Sequence, residues 1–373
     1  MFSGFGFLPQ RPLVVRAAAT GSFLVALTLS ACAGGGNHTP AGPTPSPKPT
    51  SSSSATPTPQ PTPTGGSAPQ YVYYSTLNLN AGAASLGAVA YPLTSTSTPA
   101  LTIDGSSANK LTGAAPLLID SAGRLWALSG LNPPAVIAIF DTPLTSTSLP
   151  NVVLTLPGGI VANTMAFDPS GNLWIASWNA GAISAYEFTG PFNVTATLVT
   201  ARTVHVAGCT DSASYFGVAL NASGDLYVTC NGSPAASSIA VLLKSTGYAS
   251  VDHYLSGLGN SSALVFDSAG DLYAGSNSAA PAGGICLFRS GNLGAGATPN
   301  VCDSTGMGAS YWPFQLALDS AGNIYSANCV YMPPHLFVYP TSTQSLSASL
   351  APSAIYSDAN IAASQCVGGV AIH

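Results

Sequence analysis

A ten-residue pattern that occurs five times constrains the fold of this chain more than any other feature. Each copy has a short apolar run, then Asp or Asn, two further residues and Gly, and finally an aliphatic and an aromatic residue. The copies are residues 117–126, 165–174, 218–227, 264–273 and 316–325. Their Asp or Asn positions are 48, 53, 46 and 52 residues apart. Repeats of this length predict an array of one supersecondary unit.

The chemistry of the pattern predicts a tight hairpin between a first strand, A, and a second strand, B. Asp or Asn bonds its own following backbone in an Asx turn, and Gly supplies a positive φ angle. A third strand, C, follows each copy at 136–140, 183–188, 239–243, 285–288 and 336–339. A fourth strand, D, is predicted at 152–156, 194–199, 250–255, 299–302 and 349–356. Four strands every 46–54 residues are typical of a β-propeller blade.

The two ends of the repeat region supply one further blade. Residues 71–75 look like strand B without a strand A before it, with strands C and D at 85–91 and 99–103. Residues 368–373 look like strand A with nothing after it, and His373 lies where the repeats have Asp. We therefore predict an all-β, six-bladed β-propeller of four-stranded blades, closed by pairing the C-terminal strand with the N-terminal three. Such closure removes free sheet edges.

The repeat resembles that of the NHL-repeat and gluconolactonase-like six-bladed propellers from Gln70 to His373. The resemblance implies a divalent metal in the central channel, with acidic and Asn ligands that include a Glu near the domain start. The single Glu of this chain is Glu187, in a predicted strand C. We therefore predict no cofactor and no metal, with Ca²⁺ as the alternative. His205 is the one candidate for the catalytic His of a streptogramin-lyase-like propeller, and no catalytic residue is assigned.

Residues 1–31 have the pattern of an export signal. Arg11 and Arg16 precede an apolar stretch from Ala17 to Leu29, which is shorter than the about 20 residues of a membrane span. Leu29-Ser30-Ala31-Cys32 resembles the bacterial lipobox, which implies that Cys32 is lipidated and becomes the new N-terminus. An ordinary signal peptide with a chance Cys is the alternative.

The residue after Cys32 bears on the destination of the protein. Ala33 stands where an inner-membrane retention signal has Asp, so the resemblance implies export to the outer membrane in a Gram-negative host. Residues 32–69 are rich in Pro, Thr and Ser, a composition that favours an extended spacer over a packed core. This linker is alternatively a target for O-glycosylation. We assign the propeller to residues 70–373.

Charge excludes one class of partner. Only 6% of the residues are charged, against about 25% in an average soluble domain. From Gln70 onward there are five basic residues and all 13 acidic ones. A nucleic-acid-binding domain needs a basic face that neutralises phosphates, so we predict no nucleic-acid partner.

Asn residues recur where the predicted B strands end, at the face opposite the A–B turns. Two long loops between strands D and A, 205–216 and 304–315, reach the same face. The candidate ligand-binding residues at this channel mouth are Asn132, Trp178, Asn179, Tyr215, Asn231, Asn277, Trp312, Gln315 and Asn328. Amides and aromatic rings suit a sugar or a peptide. Alternatively, the Asn residues only start turns, and the aromatic residues only pack between blades.

The repeated Asp residues at the other face invite two interpretations. Asp120, Asp168, Asp267 and Asp319 could be a carboxylate cluster or turn residues. We favour turn chemistry, because each occupies the same position of an A–B hairpin.

Six cysteines besides Cys32 predict disulfides in an exported protein. The blade positions favour three pairs: Cys209–Cys230, Cys286–Cys302 and Cys329–Cys366. The last pair would hold the ring closed, which stabilises a fold by roughly 2–4 kcal/mol.

These features predict an envelope-anchored lipoprotein whose propeller is a non-catalytic ligand-binding or protein-interaction module. The expected partners are the membrane, through the lipid, and a glycan, a peptide or an envelope protein; the protein itself is expected to be a monomer. A metal-dependent lactonase, hydrolase or lyase is the alternative. A third possibility is a purely structural protein, which would have side chains filling its channel.

Overall fold

The computed structural model describes most of the chain from Tyr71 onward. The described residues are 71–78, 83–112, 116–129, 134–179, 182–209, 217–230, 238–258, 260–276, 284–305, 312–329, 334–341, 346–364 and 366–373. They form antiparallel four-stranded sheets arranged as the blades of a six-bladed β-propeller. The predicted fold class is therefore confirmed. In the described ranges no helix is both long enough and apolar enough to span a bilayer.

The strands follow the chain blade by blade. The chain first forms β1 (Tyr71–Asn78), β2 (Ala83–Ala90) and β3 (Pro99–Asp104). Blade 1 is β4 (Leu117–Ile119), β5 (Leu125–Ser129), β6 (Val136–Phe140) and β7 (Val152–Thr155). Blade 2 is β8 (Ala162–Phe167), β9 (Leu173–Asn179), β10 (Ala182–Phe188) and β12 (Arg202–Val206), with the short β11 (Ala196–Thr197) between its last two strands.

The remaining blades repeat this order. Blade 3 is β13 (Val218–Leu220), β14 (Leu226–Cys230), β15 (Ser238–Leu242) and β16 (His253–Leu255), with a 3₁₀ turn at Lys244–Thr246. Blade 4 is β17 (Ser261–Phe266), β18 (Leu272–Ser276), β19 (Gly284–Phe288) and β20 (Val301–Asp303). Blade 5 is β21 (Trp312–Leu318), β22 (Ile324–Cys329), β23 (Leu336–Tyr339) and β24 (Ala354–Tyr356). Helix α1 (Ala359–Ala363) and β25 (Cys366–Ile372) end the chain.

The closing blade joins the two ends of the propeller. Strand β25 pairs antiparallel with β1, from Val72 opposite Ile372 to Leu77 opposite Cys366. Beyond the strand, Tyr71 and His373 exchange two backbone hydrogen bonds of 3.1 and 3.0 Å. The predicted closure by the C-terminal strand is thus confirmed, and β25 is the inner strand of a blade that β1, β2 and β3 complete.

The A–B hairpins are Asx turns, as the repeat predicts. In the first, Asp120 Oδ1 accepts hydrogen bonds of 2.9 Å from the backbone N–H groups of Ala122 and Arg124. The equivalent carboxylates of Asp168, Asp267 and Asp319 accept the same pair of bonds. Gly123 has a φ of 81°, a left-handed conformation that glycine adopts without a steric penalty. The turn interpretation of the repeated Asp residues is therefore confirmed.

The apolar core lies between the faces of neighbouring blades. Six clusters of buried side chains each combine residues from two adjacent blades. Between blades 1 and 2, for example, the Trp126 ring meets Phe167 and Phe192 edge-on, with centroids 4.9 and 5.4 Å apart. Each blade is consequently held by the two blades that flank it.

The prediction for the outer strand of blade 2 was wrong. Residues 194–199 were expected to be that strand, but the outer strand is β12, at Arg202–Val206. Part of the predicted segment, β11, instead pairs in parallel with β7 of blade 1. The segment has a strand-forming sequence, and it satisfies that propensity at the free edge of its neighbour.

Candidate functional site

Most of the predicted channel mouth lies outside the described residues. Asn132, Tyr215, Asn231 and Asn277 fall there, as does the side chain of Asn179, whose backbone ends β9 opposite Ala182. Their role in ligand binding stays a prediction. Three other candidates, Trp178, Gln315 and Asn328, have described side chains with informative surroundings, and Trp312 is partly buried at the start of β21.

Trp178 packs between blades. Its ring is partly buried against the cluster between blades 2 and 3, which contains Cys209 and Cys230. The indole Nε1 is buried and has no hydrogen-bond partner among the described residues. Packing against the core accounts for the apolar part of this side chain, and the burial of its indole N–H means that the described structure does not expose this donor to a ligand.

Asn328 is fully buried in β22, opposite Pro313. Its Nδ2 donates to the Ser326 carbonyl at 2.9 Å. Its Oδ1 is buried without a hydrogen-bond partner in the described part of the chain. The side chain therefore lies inside the blade and does not present its amide to a ligand.

Gln315 uses its whole carboxamide to join inner strands of three blades. Its Oε1 accepts hydrogen bonds from the backbone N–H groups of Leu117, at 2.9 Å, and Val370, at 3.1 Å. Its Nε2 donates to the Leu117 carbonyl at 2.5 Å. Leu117 is in β4 and Val370 is in β25. Because the inner strands surround the channel, this side chain occupies part of the channel and ties its wall together.

The acidic residues serve the hairpins at the other face. Asp120 Oδ2 accepts from Arg124 Nε at 2.7 Å and from Trp126 Nε1 at 2.9 Å. Glu187 accepts from Asn172 Nδ2 and forms an ion pair with Arg202, both at 3.1 Å. Within the described ranges no three His, Cys, Asp or Glu side chains come together as a group that could hold a metal ion.

The prediction that His205 lies on a channel loop was wrong. His205 is an exposed residue of β12, the outer strand of blade 2. Its Nδ1 lies 3.0 Å from the Ser184 hydroxyl oxygen, directly across the sheet. The loop prediction failed because the outer strand of this blade begins eight residues later, and ends seven residues later, than the sequence pattern suggested.

Two predicted disulfides are confirmed. Cys209–Cys230 joins the end of blade 2 to strand B of blade 3, and Cys286–Cys302 joins neighbouring strands of blade 4. Cys366 is also disulfide-bonded, and Cys329 lies directly opposite it in the register of β22 and β25. Since the Cys329 side chain is outside the described set, that third pairing stays a prediction.

The sequence did not predict one concave site that the structure shows. A groove of about 510 Å³ runs along the outer rim between the closing blade and the turn that follows β6 in blade 1. We call it the rim groove. Its lining residues are Tyr71, Tyr73, Ala88, Pro99, Ala100, Leu101, Thr102, Leu144, Thr145 and Ser146. The volume falls in the range of about 300–1,000 Å³ that ligand sites have.

Aromatic rings and hydroxyl groups line the rim groove, and none of its lining residues is charged. The rings of Tyr71 and Tyr73 have centroids 6.0 Å apart and planes inclined by 35°. Burial raises the pKa of Tyr73 to about 12, the nearby Tyr71 adds to the increase, and the backbone of Leu144 opposes it. Tyr73 is therefore a neutral hydroxyl at physiological pH. Such a surface suits an uncharged ligand with apolar faces.

One wall of the rim groove is the outer edge of β3. Two other outer strands are covered by the neighbouring blade. Strand β7 pairs with β11, and the backbones of Tyr254 in β16 and of Ser256 just after it bond the backbone of Gly296 and Ala297. In the described part of the chain, no hydrogen bond joins β3 to residues 143–148 of blade 1. An open strand edge beside a groove can accept an added strand.

No sequence signal for ligand binding marks this site, but one repeat lies beside it. Residues 143–148, Pro-Leu-Thr-Ser-Thr-Ser, repeat residues 92–97 without a change. The duplication shows that the two turns are equivalent, and only the fold shows that they meet different neighbours.

Comparison with known proteins supports the β-propeller fold alone. No family model matches the sequence, and no curated protein matches it either. Among solved structures, a protein of unknown function from Bacteroides caccae is 10% identical, with a TM-score of 0.51 over 82% of this chain and 99% of its own. A protein from Lactobacillus plantarum is 14% identical, with a TM-score of 0.51 over 77% of this chain and 82% of its own. A candidate 6-phosphogluconolactonase from Bacteroides fragilis is 10% identical, with a TM-score of 0.49 over 76% and 81% of the two chains.

Proposed function

We propose that this protein is a lipoprotein of the bacterial cell envelope whose β-propeller is a non-catalytic binding module for an extended, uncharged peptide. The observation that carries the proposal is the rim groove, which combines an open strand edge, the partly exposed ring of Tyr71 and exposed hydroxyl groups. An extended peptide would use main-chain hydrogen bonds to β3 for affinity and side-chain contacts for specificity.

The dimensions of the groove fit a short segment. Four residues of β3, Pro99 to Thr102, form one wall, which corresponds to about 13 Å of extended chain. A tetrapeptide in an extended conformation spans the same distance. Apolar groups of such a ligand would lie on the partly exposed Tyr71 ring, and Thr145 and Ser146 would offer hydroxyl groups to its carbonyls.

The envelope address rests on the N-terminal sequence. Cys32 follows an apolar stretch in a lipobox-like context, and the Pro/Thr/Ser-rich linker separates it from Tyr71. Two acyl chains or more give stable membrane attachment, at about 0.8 kcal/mol per buried methylene. The linker would hold the propeller away from the membrane.

Binding is tested by titrating the full-length protein, in detergent, with uncharged six-residue peptides and with neutral oligosaccharides. The variant Thr145→Trp places a bulky ring at the mouth of the groove and is expected to weaken peptide binding at least about tenfold, which is 1.4 kcal/mol. Thr94→Trp makes the same change in the twin turn at 92–97 and is the matched control, with little effect expected.

Three results would contradict the binding proposal. Equal effects of the two tryptophan substitutions would remove the groove from the interaction. Binding of oligosaccharides in place of peptides would change the ligand class. Metal-dependent turnover of a lactone, lost on substitution of channel residues, would make the protein an enzyme.

The anchor is tested separately by fractionating cells that produce Cys32→Ala. The unchanged protein is expected to appear in the outer-membrane fraction and to be labelled by a fatty-acid analogue. The variant is expected to lose both properties. Retention of the variant in the membrane would show that something other than a lipid on Cys32 holds the protein there.

A further inference from the structure

The linker that precedes the propeller has a pattern of its own that matches the rim groove. From Thr56 to Thr64 the sequence is Thr-Pro-Thr-Pro-Gln-Pro-Thr-Pro-Thr, in which every second residue is proline. Gly65 and Gly66 follow it, and the first described residue, Tyr71, is itself part of the groove lining. The segment is thus attached to the site by six residues.

We propose that part of the segment 56–64 docks in the rim groove as an added edge strand on β3, so that the linker occupies the site in cis and an external peptide must displace it. The inference rests on the proposed function of the groove and adds the identity and the regulation of its occupant.

The two-residue period of the segment gives it one hydrogen-bonding edge. In an extended chain, successive residues direct their backbone N–H and C=O groups to opposite edges and their side chains to opposite faces. Alternating prolines therefore leave all the N–H groups of Thr56, Thr58, Gln60, Thr62 and Thr64 on a single edge. The other edge has no donor to lose, which is the position in which sheets tolerate proline.

The same two-residue period places the proline rings and the polar side chains on opposite faces of the segment. All four proline rings lie on one face of the extended segment, and the Thr and Gln side chains lie on the other. A groove with a strand edge as its wall and an accessible tyrosine ring beside it fits this arrangement, because proline rings stack on aromatic side chains. The partly exposed ring of Tyr71 provides that aromatic surface, with the fully buried Tyr73 next to it, and the edge of β3 provides the wall.

Reach and charge agree with docking in cis. Residues 65–70 span at most about 20 Å when extended, which is enough for the segment to turn back along β3, and two glycines allow the reversal. Between Lys48 and Tyr71 the sequence contains no charged residue, and the groove lining contains none either. A short flexible connection gives an effective concentration in the millimolar range, so a weak site would still be occupied.

Cross-linking of the full-length protein in detergent tests the docking without any external ligand. The double variant Gln60→Cys with Thr145→Cys places thiols in the middle of the segment and at the mouth of the groove. Gln60→Cys with Thr94→Cys is the matched control, since Thr94 is the same position of the twin turn. A short bismaleimide is expected to join the first pair at least about tenfold faster than the second. Replacing Pro57, Pro59, Pro61 and Pro63 by alanine is expected to abolish the preference.

Equal cross-linking rates for the two pairs would overturn the inference, because they describe a tether that samples both turns alike. A preference that survives the four alanine substitutions would also overturn it, since proline stacking would then play no part.

A second measurement separates this inference from the proposed function. The peptide Thr-Pro-Thr-Pro-Gln-Pro-Thr-Pro-Thr is titrated into the full-length protein and into a variant lacking residues 56–64. Docking in cis predicts binding about tenfold tighter to the deletion variant, as expected for competition with a millimolar effective concentration. Equal, measurable affinities would support the groove as a binding site and overturn occupancy by the linker. A cross-linking preference without binding of any external peptide would support the linker and overturn the external function.

Discussion

Residues 92–97 and 143–148 have the same sequence, Pro-Leu-Thr-Ser-Thr-Ser, and form the same turn in two places. In both, the first threonine N–H donates to the last serine hydroxyl, at 2.9 Å in the closing blade and 2.8 Å in blade 1. The surroundings nevertheless differ. Ser95 accepts a 3.1 Å hydrogen bond from the Ile355 N–H at the edge of β24, whereas Ser146 lines the rim groove beside β3.

The comparison separates the conformation of the turn, which its own sequence determines, from the contacts of the turn, which depend on the neighbouring blade. Six residues are enough to specify the turn, but the junction depends on the outer strand of the preceding blade. Leu93 is buried in the closed junction, while Leu144 is only partly buried at the open one. The groove is therefore a property of a pair of blades, and the closing blade has a closed junction with blade 5 and an open one with blade 1.

The largest expected loss of folding stability comes from removing the Gln315 carboxamide, which bonds strands on both sides of the closing blade. Gln315 bonds the inner strands β4 and β25 from β21, so it links blade 5, the closing blade and blade 1. Gln315→Leu would leave three backbone groups without their partner, at about 1–3 kcal/mol each when buried. Chemical denaturation is expected to show a loss of about 3 kcal/mol or more. A loss under about 1 kcal/mol would mean that water replaces the carboxamide and that the inner ring does not depend on it.

The next effect would be confined to the closed junction. Asp358 accepts hydrogen bonds from Tyr74 and from Tyr356, the latter at 2.7 Å, and caps α1 through the N–H groups of Asn360 and Ile361. Asp358→Ala is expected to cost about 2–3 kcal/mol, since it removes a cap and the acceptor of two buried hydroxyls. Asp358→Asn keeps an acceptor and is the matched control. If alanine and asparagine cost the same, the junction does not depend on this acceptor.

A third prediction concerns the neighbouring tyrosine that faces the open junction. The folded pKa of Tyr73 is raised to about 12, chiefly by burial, from about 10 in an unfolded chain. Its neutral form is favoured in the fold, so its contribution to stability is complete below pH 10 and is lost as the pH rises towards 12. At pH 11 the loss is about 1 kcal/mol.

Tyr73→Phe isolates that contribution. The unfolding free energy of the variant is expected to fall less steeply between pH 9.5 and 11, by about 1 kcal/mol in total. Because other tyrosines are also buried, the comparison is made between the two proteins at each pH. Parallel curves would show that the hydroxyl at the open junction reaches solvent and ionises freely.

The sequence predicts the features that depend on contacts within one repeat and not those that depend on contacts between repeats. The Asp-x-x-Gly hairpins were predictable because Asp120 bonds only residues two and four positions further on. The ring closure was predictable because one incomplete blade needed one strand. The pairing of β11 with β7 and the cross-blade bonds of Gln315 were not, since each depends on a strand from another repeat. The rim groove was missed for that reason too, although the duplicated turn beside it is visible in the sequence.

The smallest expected effect tests the comparison most directly. Ser95→Ala removes the acceptor of the Ile355 N–H, and a hydrogen bond at an exposed site of this kind contributes about 0.5–1 kcal/mol. Ser146→Ala makes the same change in the twin turn, where the serine hydroxyl has no hydrogen bond with any other described residue, so no loss is expected. Both free energies are measured by urea unfolding of the two variants in parallel. Equal losses would mean that the serine acts within its own turn at both sites, and the closed junction would then owe nothing to the hydrogen bond that distinguishes it. A loss for Ser95→Ala alone would instead show that one hydrogen bond to a neighbouring strand is what two identical turns do not share.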